Sequence, residues 1–349
     1  MAADPHDTAG SPVLEVSDLT VDFETEHGWT TVVDSVSFSI EAGETLGLVG
    51  ESGSGKTITA LSVMGLVDGR GARVQGSVKV EGREMIGASE PVLRTVRGDL
   101  VSMIFQEPRR SLNPAFTVGN QIAETVRRHQ GLSRRDAWAK TVEMLDIVGI
   151  PDPARRARQY PHELSGGMCQ RVMLGIALAC EPALLIADEP TTALDATVQK
   201  RMLGLMQSLK QRFGLSILFI SHDLGVVSEM ADRVAVMYAG SIAEIAPRHE
   251  LFAEPGHPYT AGLLATYADG GDGGGSGDTV RQPRRMLSIA GMVPAAHEWP
   301  TGCRFHPRCL HAQEGRCDAG ELALVGFGPQ RASRCVRRGE LVLEGLQSP

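Results

Sequence analysis

The amino-acid sequence predicts an α/β fold with a mostly parallel central sheet, joined by antiparallel strands and interrupted by a helical insertion. Short apolar runs have the length of buried strands and alternate with helical segments, as in βαβ architectures. Residues 13 to about 45 alternate apolar and polar side chains, which is typical of antiparallel strands with one solvated face. Residues 115 to 180 consist mostly of segments with helical periodicity, which predicts a separate lobe inserted into the sheet domain.

The first half of the chain supplies most of the predicted elements. The antiparallel strands read "LEVSDLTVDF" and "TVVDSVSFSI", and the buried strand "TLGLVG" leads into the helix "TITALSVMGL". A second strand pair reads "VQGSVKVEGREM". The inserted lobe contains the predicted helices "VGNQIAETVRRHQ", "RDAWAKTVEMLDIVG" and "GMCQRVMLGIALA". The order predicts that strands of the core flank the lobe on both sides.

The core then resumes with the strand "ALLIADEP", the helix "ATVQKRMLGLMQSLKQRFG", the strand "LSILFISHD" and a closing strand pair around "RVAVMYAGSIAEIA". The glycine-rich stretch "DGGDGGGSGD" has the composition of a flexible linker. The predicted units are a disordered leader (1–12), the α/β domain (13–245) with its helical lobe (about 107–178), an extended segment (246–300) containing the linker (269–278), and a four-cysteine C-terminal region (301–349).

Composition limits the class of protein. Of the 349 residues, 42% are hydrophobic and 22% are charged, which is the balance of a soluble globular protein. A formal net charge of −8 argues against nucleic acid as the main partner, which usually requires a basic face. Apolar runs are far shorter than the roughly 18 to 20 residues that span a bilayer, and the first residues do not resemble a secretory signal. We therefore predict a cytosolic protein with reduced thiols.

The stretch "GESGSGKT", Gly50 to Thr57, matches the phosphate-loop motif G-x-x-x-x-G-K-S/T between a predicted strand and helix. Its glycines let backbone N–H groups surround the phosphates of a nucleotide, and the helix start adds a positive dipole end. Lys56 is expected to neutralise the phosphates, and the Thr57 hydroxyl to bind Mg²⁺. A plain glycine turn is a poor alternative, because all eight positions fit in the right context.

Two acids end the strand "ALLIADEP". In an open α/β sheet this strand end lies beside the phosphate loop. Asp188 is expected to reach Mg²⁺ directly or through water, and Glu189 to polarise the attacking water. Two acids could also be a polar strand end, but the phosphate loop favours the catalytic interpretation.

A second glycine-rich helix start reads "HELSGGMCQRV" and contains no group that could cleave a bond. Ser165 can cap the helix, while Gly166 and Gly167 leave N–H groups of the first turn open to a bulky anion. The nucleotide of this chain is already bound at the phosphate loop. We therefore predict that this helix start caps a nucleotide held by another subunit.

Four of the six cysteines lie in the C-terminal region, at positions 303, 309, 317 and 335. A region this short buries little core, and in a reducing compartment four thiols indicate a metal centre rather than disulfides. The spacing lacks the C-x₂₋₄-C start of most zinc sites, whereas four cysteines alone suit an iron–sulfur cluster. Zinc, with His306 or His311 as ligands, and unliganded thiols stay open as alternatives.

These motifs resemble those of the ATP-binding cassette (ABC) ATPases, in order and in spacing, over residues 13 to about 245. The resemblance includes "LSGGM", "MIFQEP", "TTALDA" and "FISHDL". It implies a RecA-like phosphate-loop core, an antiparallel β subdomain and an inserted helical subdomain. It also implies a head-to-tail dimer in which each nucleotide lies between the phosphate loop of one cassette and the signature residues of the other.

The resemblance assigns further roles. Gln106 is similar to the glutamine that couples Mg²⁺ and water to the helical lobe, His222 to the histidine that contacts the γ-phosphate, and Asp195 to an acid facing across the dimer. Phe23 is similar to the aromatic residue that stacks on adenine, with Trp29 as a rival. Cys169 stands where the family often has arginine or serine, and Cys180 is expected in the core. The residues expected to contact nucleotide are Phe23, Gly50, Ser52, Gly53, Ser54, Gly55, Lys56, Thr57, Thr59, Gln106, Ser165, Gly166, Gly167, Asp188 and Asp195. Of these, Thr57, Gln106 and Asp188 are also expected to bind Mg²⁺. The residues expected to take part in catalysis are Lys56, Gln106, Glu189 and His222.

The C-terminal third resembles that of oligopeptide and dipeptide importer ATPases, through "HPYTAGLL" and "PTGCRFHPRC". That family implies a 4Fe–4S cluster on Cys303, Cys309, Cys317 and Cys335, with ATP and Mg²⁺ as the other cofactors. It also implies a second ATPase subunit, two membrane-spanning permeases, an extracytoplasmic binding protein and a place on the cytoplasmic face of the membrane. The helical lobe, near "EPRRSLNPAF", is the expected contact with the permeases.

Two classes of function follow. The first is an ATPase that powers peptide uptake; nickel, glutathione or opines are alternative cargoes, because cargo is selected by subunits outside this chain. The second is an ABC ATPase without permeases, acting in iron–sulfur assembly or DNA repair. The segment between the phosphate loop and the signature is short and shows no sustained heptads, which disfavours the DNA-structural members.

Overall fold

A computed structural model describes residues 11–26, 28–67, 69, 71–192, 194–270 and 289–345. The predicted leader (1–12), apart from its last two residues, and the glycine linker from residue 271 onward lie outside the described residues. The described strands form a four-stranded antiparallel sheet and an eight-stranded mixed sheet. The α/β class predicted from the sequence is confirmed.

The strands are β1 (Leu14–Thr25), β2 (Gly28–Ile40), β3 (Thr45–Val49), β4 (Ala72–Val80), β5 (Arg83–Glu84), β6 (Val101–Ile104), β7 (Leu184–Asp188), β8 (Ser216–Ser221), β9 (Arg233–Tyr238), β10 (Ser241–Pro247), β11 (Val325–Gly328) and β12 (Arg331–Ser333). The helices are α1 (Lys56–Val63), α2 (Glu90–Val96), α3 (Pro108–Ser111), α4 (Val118–Gln130), α5 (Arg134–Ile147), α6 (Pro153–Arg156), α7 (Gly166–Leu178), α8 (Ala196–Phe213), α9 (Leu224–Met230), α10 (Arg248–Ala253) and α11 (Pro258–Gly270).

The large sheet brings the nucleotide motifs to one edge. Its strand order is β11-β12-β10-β9-β3-β8-β7-β6, and β3 pairs in parallel with both β8 and β9. Strands β7 and β8 are also parallel. The carboxyl ends of parallel strands meet at the same edge of a sheet. The phosphate loop after β3, the two acids at the end of β7 and His222 after β8 are therefore neighbours.

Alternation along the central strands builds two cores. In β8, Ile217 and Phe219 join the core shared with the helical lobe, whereas Leu218 and Ile220 join the core beneath the antiparallel sheet. All four side chains are fully buried. Burial of each such side chain contributes about 1.5–3 kcal/mol, so a strand apolar on both faces is held from both sides.

Helices of the inserted lobe begin and end where local chemistry predicts. The Thr117 hydroxyl accepts a hydrogen bond from Asn120 N (3.3 Å) at the start of α4, and Gly131 ends that helix in the left-handed region. Ser133 caps α5 in the same way through Asp136 N (3.2 Å). Such caps satisfy N–H groups that the first helical turn leaves unpaired. Helices α4 and α5 pack against α7, the helix that carries the signature.

The expectation of an extended segment over 246–300 is wrong for its first half. Residues Arg248–Ala253 and Pro258–Gly270 form α10 and α11. Leu251, Tyr259 and Leu264 are almost completely buried. Burial of these side chains against the core outweighs the loop signals of the nearby prolines and glycines.

The C-terminal region extends the large sheet. Strand β12 pairs antiparallel with β10, through Glu244 opposite Ser333 and Ile245 opposite Ala332. Strand β11 follows on the outside. Among the described residues, no helix is long and apolar enough to cross a membrane.

Candidate nucleotide site and cysteine cluster

The phosphate loop is formed at a point where the chain approaches strand β9 closely. A Cβ atom on Gly50, which has φ of 157°, would lie 2.1 Å from the Met237 carbonyl oxygen. No side chain fits there, so only glycine permits this approach. Gly55, with φ of 101°, then precedes the first residue of α1. The loop therefore opens onto the N-terminus of α1, as an anion site requires.

Lys56 is held against the loop. Its Nζ donates to Gly50 O (2.7 Å), Glu51 O (2.9 Å) and Ser54 Oγ (3.3 Å), and the side chain is buried. Burial lowers the pKa of Lys56, while the charges of Glu189 and Asp188 act in the opposite direction. Phosphate oxygens would replace these carbonyl partners and neutralise the ammonium group.

Thr57 and Asp188 form a pair of oxygen ligands. Thr57 Oγ1 lies 3.5 Å from Asp188 Oδ1, although 131 residues separate them. Burial and the neighbouring Glu189 raise the pKa of Asp188, and Thr57 and Lys56 partly offset this. A hydroxyl and a carboxylate beside a phosphate loop are ligands that Mg²⁺ prefers, and binding of the cation would favour the ionised carboxylate.

Glu189 is the centre of a polar cluster. Its Oε2 accepts from Gln106 Nε2 (2.9 Å) and Thr192 Oγ1 (2.8 Å), and its Oε1 lies 3.1 Å from His222 Nδ1. Burial alone would raise the pKa of Glu189, but the bonds from His222 and Thr192 and the charge of Lys56 outweigh it, so the pKa is lowered. The carboxylate is therefore ionised at neutral pH and suited to orient and polarise water.

The backbone of Glu189 supports that role. Its φ is 48°, in the left-handed region that non-glycine residues rarely adopt, and its N–H donates to Ile220 O (3.0 Å). Such strain persists only where surrounding structure enforces it. The conformation turns the Glu189 side chain toward Gln106 and His222.

The signature residues lie apart from this cluster. The Ser165 hydroxyl accepts from Met168 N (3.3 Å) as the cap of α7, and Gly166 is exposed. Ser165 and Gly167 line an open cavity of about 330 Å³ together with Arg171 and Arg201. None of residues 50–57 lines this cavity. The described structure thus brings Lys56, Thr57, Gln106, Asp188, Glu189 and His222 together, and leaves the second glycine helix start facing outward.

Four other residues named from the sequence have clear local positions. Asp195 caps α8 by accepting from Thr197 N (3.1 Å) and Val198 N (3.0 Å). Phe23 is half-buried on β1, and the exposed ring of Trp29 is covered by the Arg73 guanidinium at 3.5 Å. The Thr59 side chain is fully buried and donates to Gly55 O (3.0 Å), so it supports the loop from inside. Direct contacts of these residues and of Ser52 and Gly53 with nucleotide stay predictions.

The four C-terminal cysteines line one small cavity together with His306 and His311. All four are free thiols. Burial, with the other cysteines adding to it, raises the pKa of Cys303 to about 11, and burial raises those of Cys309 and Cys335. The thiols of Cys303, Cys309 and Cys335 are therefore costly to ionise unless a cation accompanies them.

The described residues contain no group of three or more His, Cys, Asp or Glu side chains arranged to hold a single metal ion. An all-cysteine donor set occurs both in structural zinc sites and in iron–sulfur clusters, so the chemistry of these four side chains fits either group.

Several contact residues were missed from the sequence. Thr192 stands in "TTALDA" and could have been identified from its position three residues after Glu189. Arg308, by contrast, pairs with Glu51 across 257 residues of chain. Only the fold reveals that contact.

Comparisons with known proteins agree with this geometry. Residues 33–192 match the ABC transporter family, and residues 243–317 match the oligopeptide/dipeptide transporter C-terminal region. A protein of Brucella abortus (strain 2308), named as a peptide import ATP-binding protein, is 48% identical over 328 residues, covering 94% of this chain and 96% of the relative. One of Brucella ovis with the same designation is 46% identical over 336 residues, covering 95% and 98%.

Solved structures share the fold. The dimeric post-hydrolysis ATP-binding cassette MJ0796, bound to ADP and Pi, has a TM-score of 0.60 at 24% identity and covers 67% of this chain and 98% of its own. The protein cbiO1 from Clostridium perfringens has a TM-score of 0.60 at 23% identity, with coverages of 70% and 91%. The assembled hydrolytic cluster, the matched families and the relatives at nearly half identity lead to one conclusion: this chain belongs to the ABC transporter family, as an ATP-binding subunit that hydrolyses ATP.

Proposed function

We propose that this ATPase powers uptake of peptides across the cytoplasmic membrane. The observation that carries the proposal is the complete hydrolytic cluster around Glu189, joined in one chain to a C-terminal region that matches oligopeptide/dipeptide transporters. Relatives named for peptide import match almost the whole chain and support the same cargo.

The mechanism follows from the contacts. Lys56 leaves its carbonyl partners and binds the β- and γ-phosphates, while Thr57, Asp188 and Gln106 would hold Mg²⁺, which supplies charge neutralisation at the phosphates. The ionised Glu189 orients and polarises the attacking water, since Gln106 and Thr192 fix its carboxylate. His222 contacts the γ-phosphate from the end of β8.

The outward-facing signature indicates a composite site. Ser165, Gly166 and Gly167 would cap the nucleotide bound to the phosphate loop of a second cassette, which is either a different chain or a copy of this one. Asp195 would face the same interface, and Phe23 would stack on adenine, with Trp29 as the rival, one face of which is covered by Arg73. Closure on ATP and opening after hydrolysis would drive two permeases through the helical lobe. We place the subunit on the cytoplasmic face of the membrane, with a binding protein delivering cargo from outside.

The proposed function can be tested by assembling the chain with its expected partners. When the chain is co-expressed with candidate permeases and a second cassette, we expect it to fractionate with membranes, and peptide-loaded binding protein to stimulate ATP turnover. Mass spectrometry of the bound cargo distinguishes peptides from glutathione, nickel or opines. The alternative is an ABC ATPase that acts without permeases. It would be favoured if no cargo changed the rate of ATP hydrolysis and the chain did not bind membranes that contain the permeases.

We further propose that Cys303, Cys309, Cys317 and Cys335 hold a 4Fe–4S cluster. The support is their convergence on one cavity and their all-sulfur chemistry. The cluster would supply positive charge that stabilises the buried thiolates and would link four distant points of a small region. No step of ATP hydrolysis depends on it.

Cys303→Ser is expected to remove iron from anaerobically purified protein and to lower the melting temperature of the C-terminal region. Iron analysis and visible absorption measure the first effect, and calorimetry the second. Cys180→Ser, between α7 and β7 and outside the C-terminal region, is the matched control and should keep both signals. Colourless wild-type protein without iron would reject the cluster, and zinc in its place would support the alternative metal.

A further inference from the structure

The C-terminal region reaches the phosphate loop through one arginine. Arg308 Nη1 lies 3.1 Å and 3.2 Å from the two carboxylate oxygens of Glu51, the second residue of the loop. The Arg308 side chain is 8% exposed and that of Glu51 is 29% exposed. A pair so shielded from solvent is stronger than a surface ion pair, because water screens it less.

Arg308 is held rigidly for this contact. Its Nε donates to Ala290 O (2.8 Å), and its Nη2 donates to Gly291 O (3.1 Å) and Ile289 O (3.4 Å). Its Nη1 also approaches Tyr238 Oη (3.3 Å). A guanidinium fixed by several carbonyls loses little further entropy when it pairs with a carboxylate.

Glu51 is fixed from three sides. Its N–H donates to Tyr259 Oη (3.0 Å), its carbonyl accepts from Lys56 Nζ (2.9 Å), and its carboxylate pairs with Arg308. Tyr259 packs within a buried aromatic group formed with Tyr238 and Phe305, whose tilted rings have centroids 4.6–5.3 Å apart. The contacts connect the loop directly to the region that carries the cysteines.

The charge of Glu51 makes this pair relevant to nucleotide binding. The carboxylate is close enough to Lys56 for its charge to act on the ammonium group that receives the phosphates. Without a counter-ion, a carboxylate at this position would repel a polyanion entering the loop. Arg308 removes that repulsion.

We propose that Arg308 is a positioning residue for ATP binding: it neutralises Glu51 and, together with Tyr259, presets the phosphate loop. The proposal rests on the binding of ATP at this loop. It assigns the C-terminal region a role in the affinity for nucleotide.

The test is titration of the isolated full-length chain with a fluorescent ATP analogue and Mg²⁺. Arg308→Met is expected to raise the Kd about tenfold, because at an effective dielectric constant of about 20 an unpaired charge roughly 10 Å away costs this much. In Arg308→Met with Glu51→Gln, the Kd is expected to return to near the wild-type value, since no carboxylate remains. Arg316→Met, which breaks the exposed pair with Glu340 in the same region, is the matched control and should bind like wild type.

The outcomes separate the possibilities. An Arg308→Met variant that binds ATP as tightly as wild type overturns the proposal, and so does a double variant no better than the single one, which would make Arg308 a scaffold residue only. If Arg308→Met does not fold, Arg308→Lys is compared with and without Glu51→Gln. If Arg308→Lys lowers the affinity for ATP and Glu51→Gln does not restore it, the proposal is overturned as well. Failure of the wild-type chain itself to bind ATP would instead refute the proposed function.

Discussion

Glu189→Gln is expected to lower ATP turnover by at least about 100-fold while ATP binding is retained, because a positioned carboxylate of this kind contributes about 10² to 10⁴ in rate. The amide keeps the size of the side chain and one oxygen for Gln106 or Thr192. It loses the negative charge that polarises water. Bound ATP therefore persists, and the cassettes are expected to accumulate in the closed dimer.

Phosphate release measures the turnover of this variant, and size-exclusion chromatography with ATP measures dimer closure. Glu181→Gln is a matched control: Glu181 also has a left-handed backbone, with φ of 57°, but pairs with Lys140 on the helical lobe. It should hydrolyse ATP normally. If the Glu189 variant hydrolysed ATP at the normal rate, Glu189 could not be the group that polarises water.

Gly166→Asp is expected to lower turnover of the assembled importer by at least about 100-fold, since a like charge placed against a phosphate at an interface costs several kcal/mol. A Cβ atom at Gly166 would meet nothing within 4 Å in the subunit itself. An acid in the first turn of α7 also suits the helix dipole, so the fold is unaffected. Binding of ATP by the isolated chain should not change.

The contrast between these two measurements tests the composite site. Gly204→Asp provides the control, because Gly204 lies on a helix and is equally open. It should leave both turnover and binding intact. A Gly166→Asp subunit that hydrolyses ATP at full rate within the complex would show that the signature does not cap a nucleotide.

Local motifs explain how much could be predicted from the sequence. The phosphate loop, the two acids and His222 each lie at the carboxyl end of a buried strand, so the rule for parallel sheets places them together. The helix cap at Ser165 could be predicted equally well, because a cap depends only on residues close by in the sequence. Each of these features is encoded within a few positions of the chain.

Contacts across long sequence distances could not be predicted in this way. Helices α10 and α11 form where their apolar side chains meet the core, although the surrounding segment has the composition of a loop. The junction of β12 with β10, and the pairing of Arg308 with Glu51, depend on surfaces that exist only once the sheet is built. No periodicity in the sequence predicts such long-range contacts.

The contact between Arg308 and Glu51 has a consequence for biosynthesis. A ribosome synthesises Glu51 257 residues before Arg308, so a nascent chain that has not reached Arg308 lacks the counter-ion of the phosphate loop. Under the proposed role of Arg308, such a chain would bind nucleotide more weakly than one that contains this residue. Nucleotide would then stabilise the incomplete chain less.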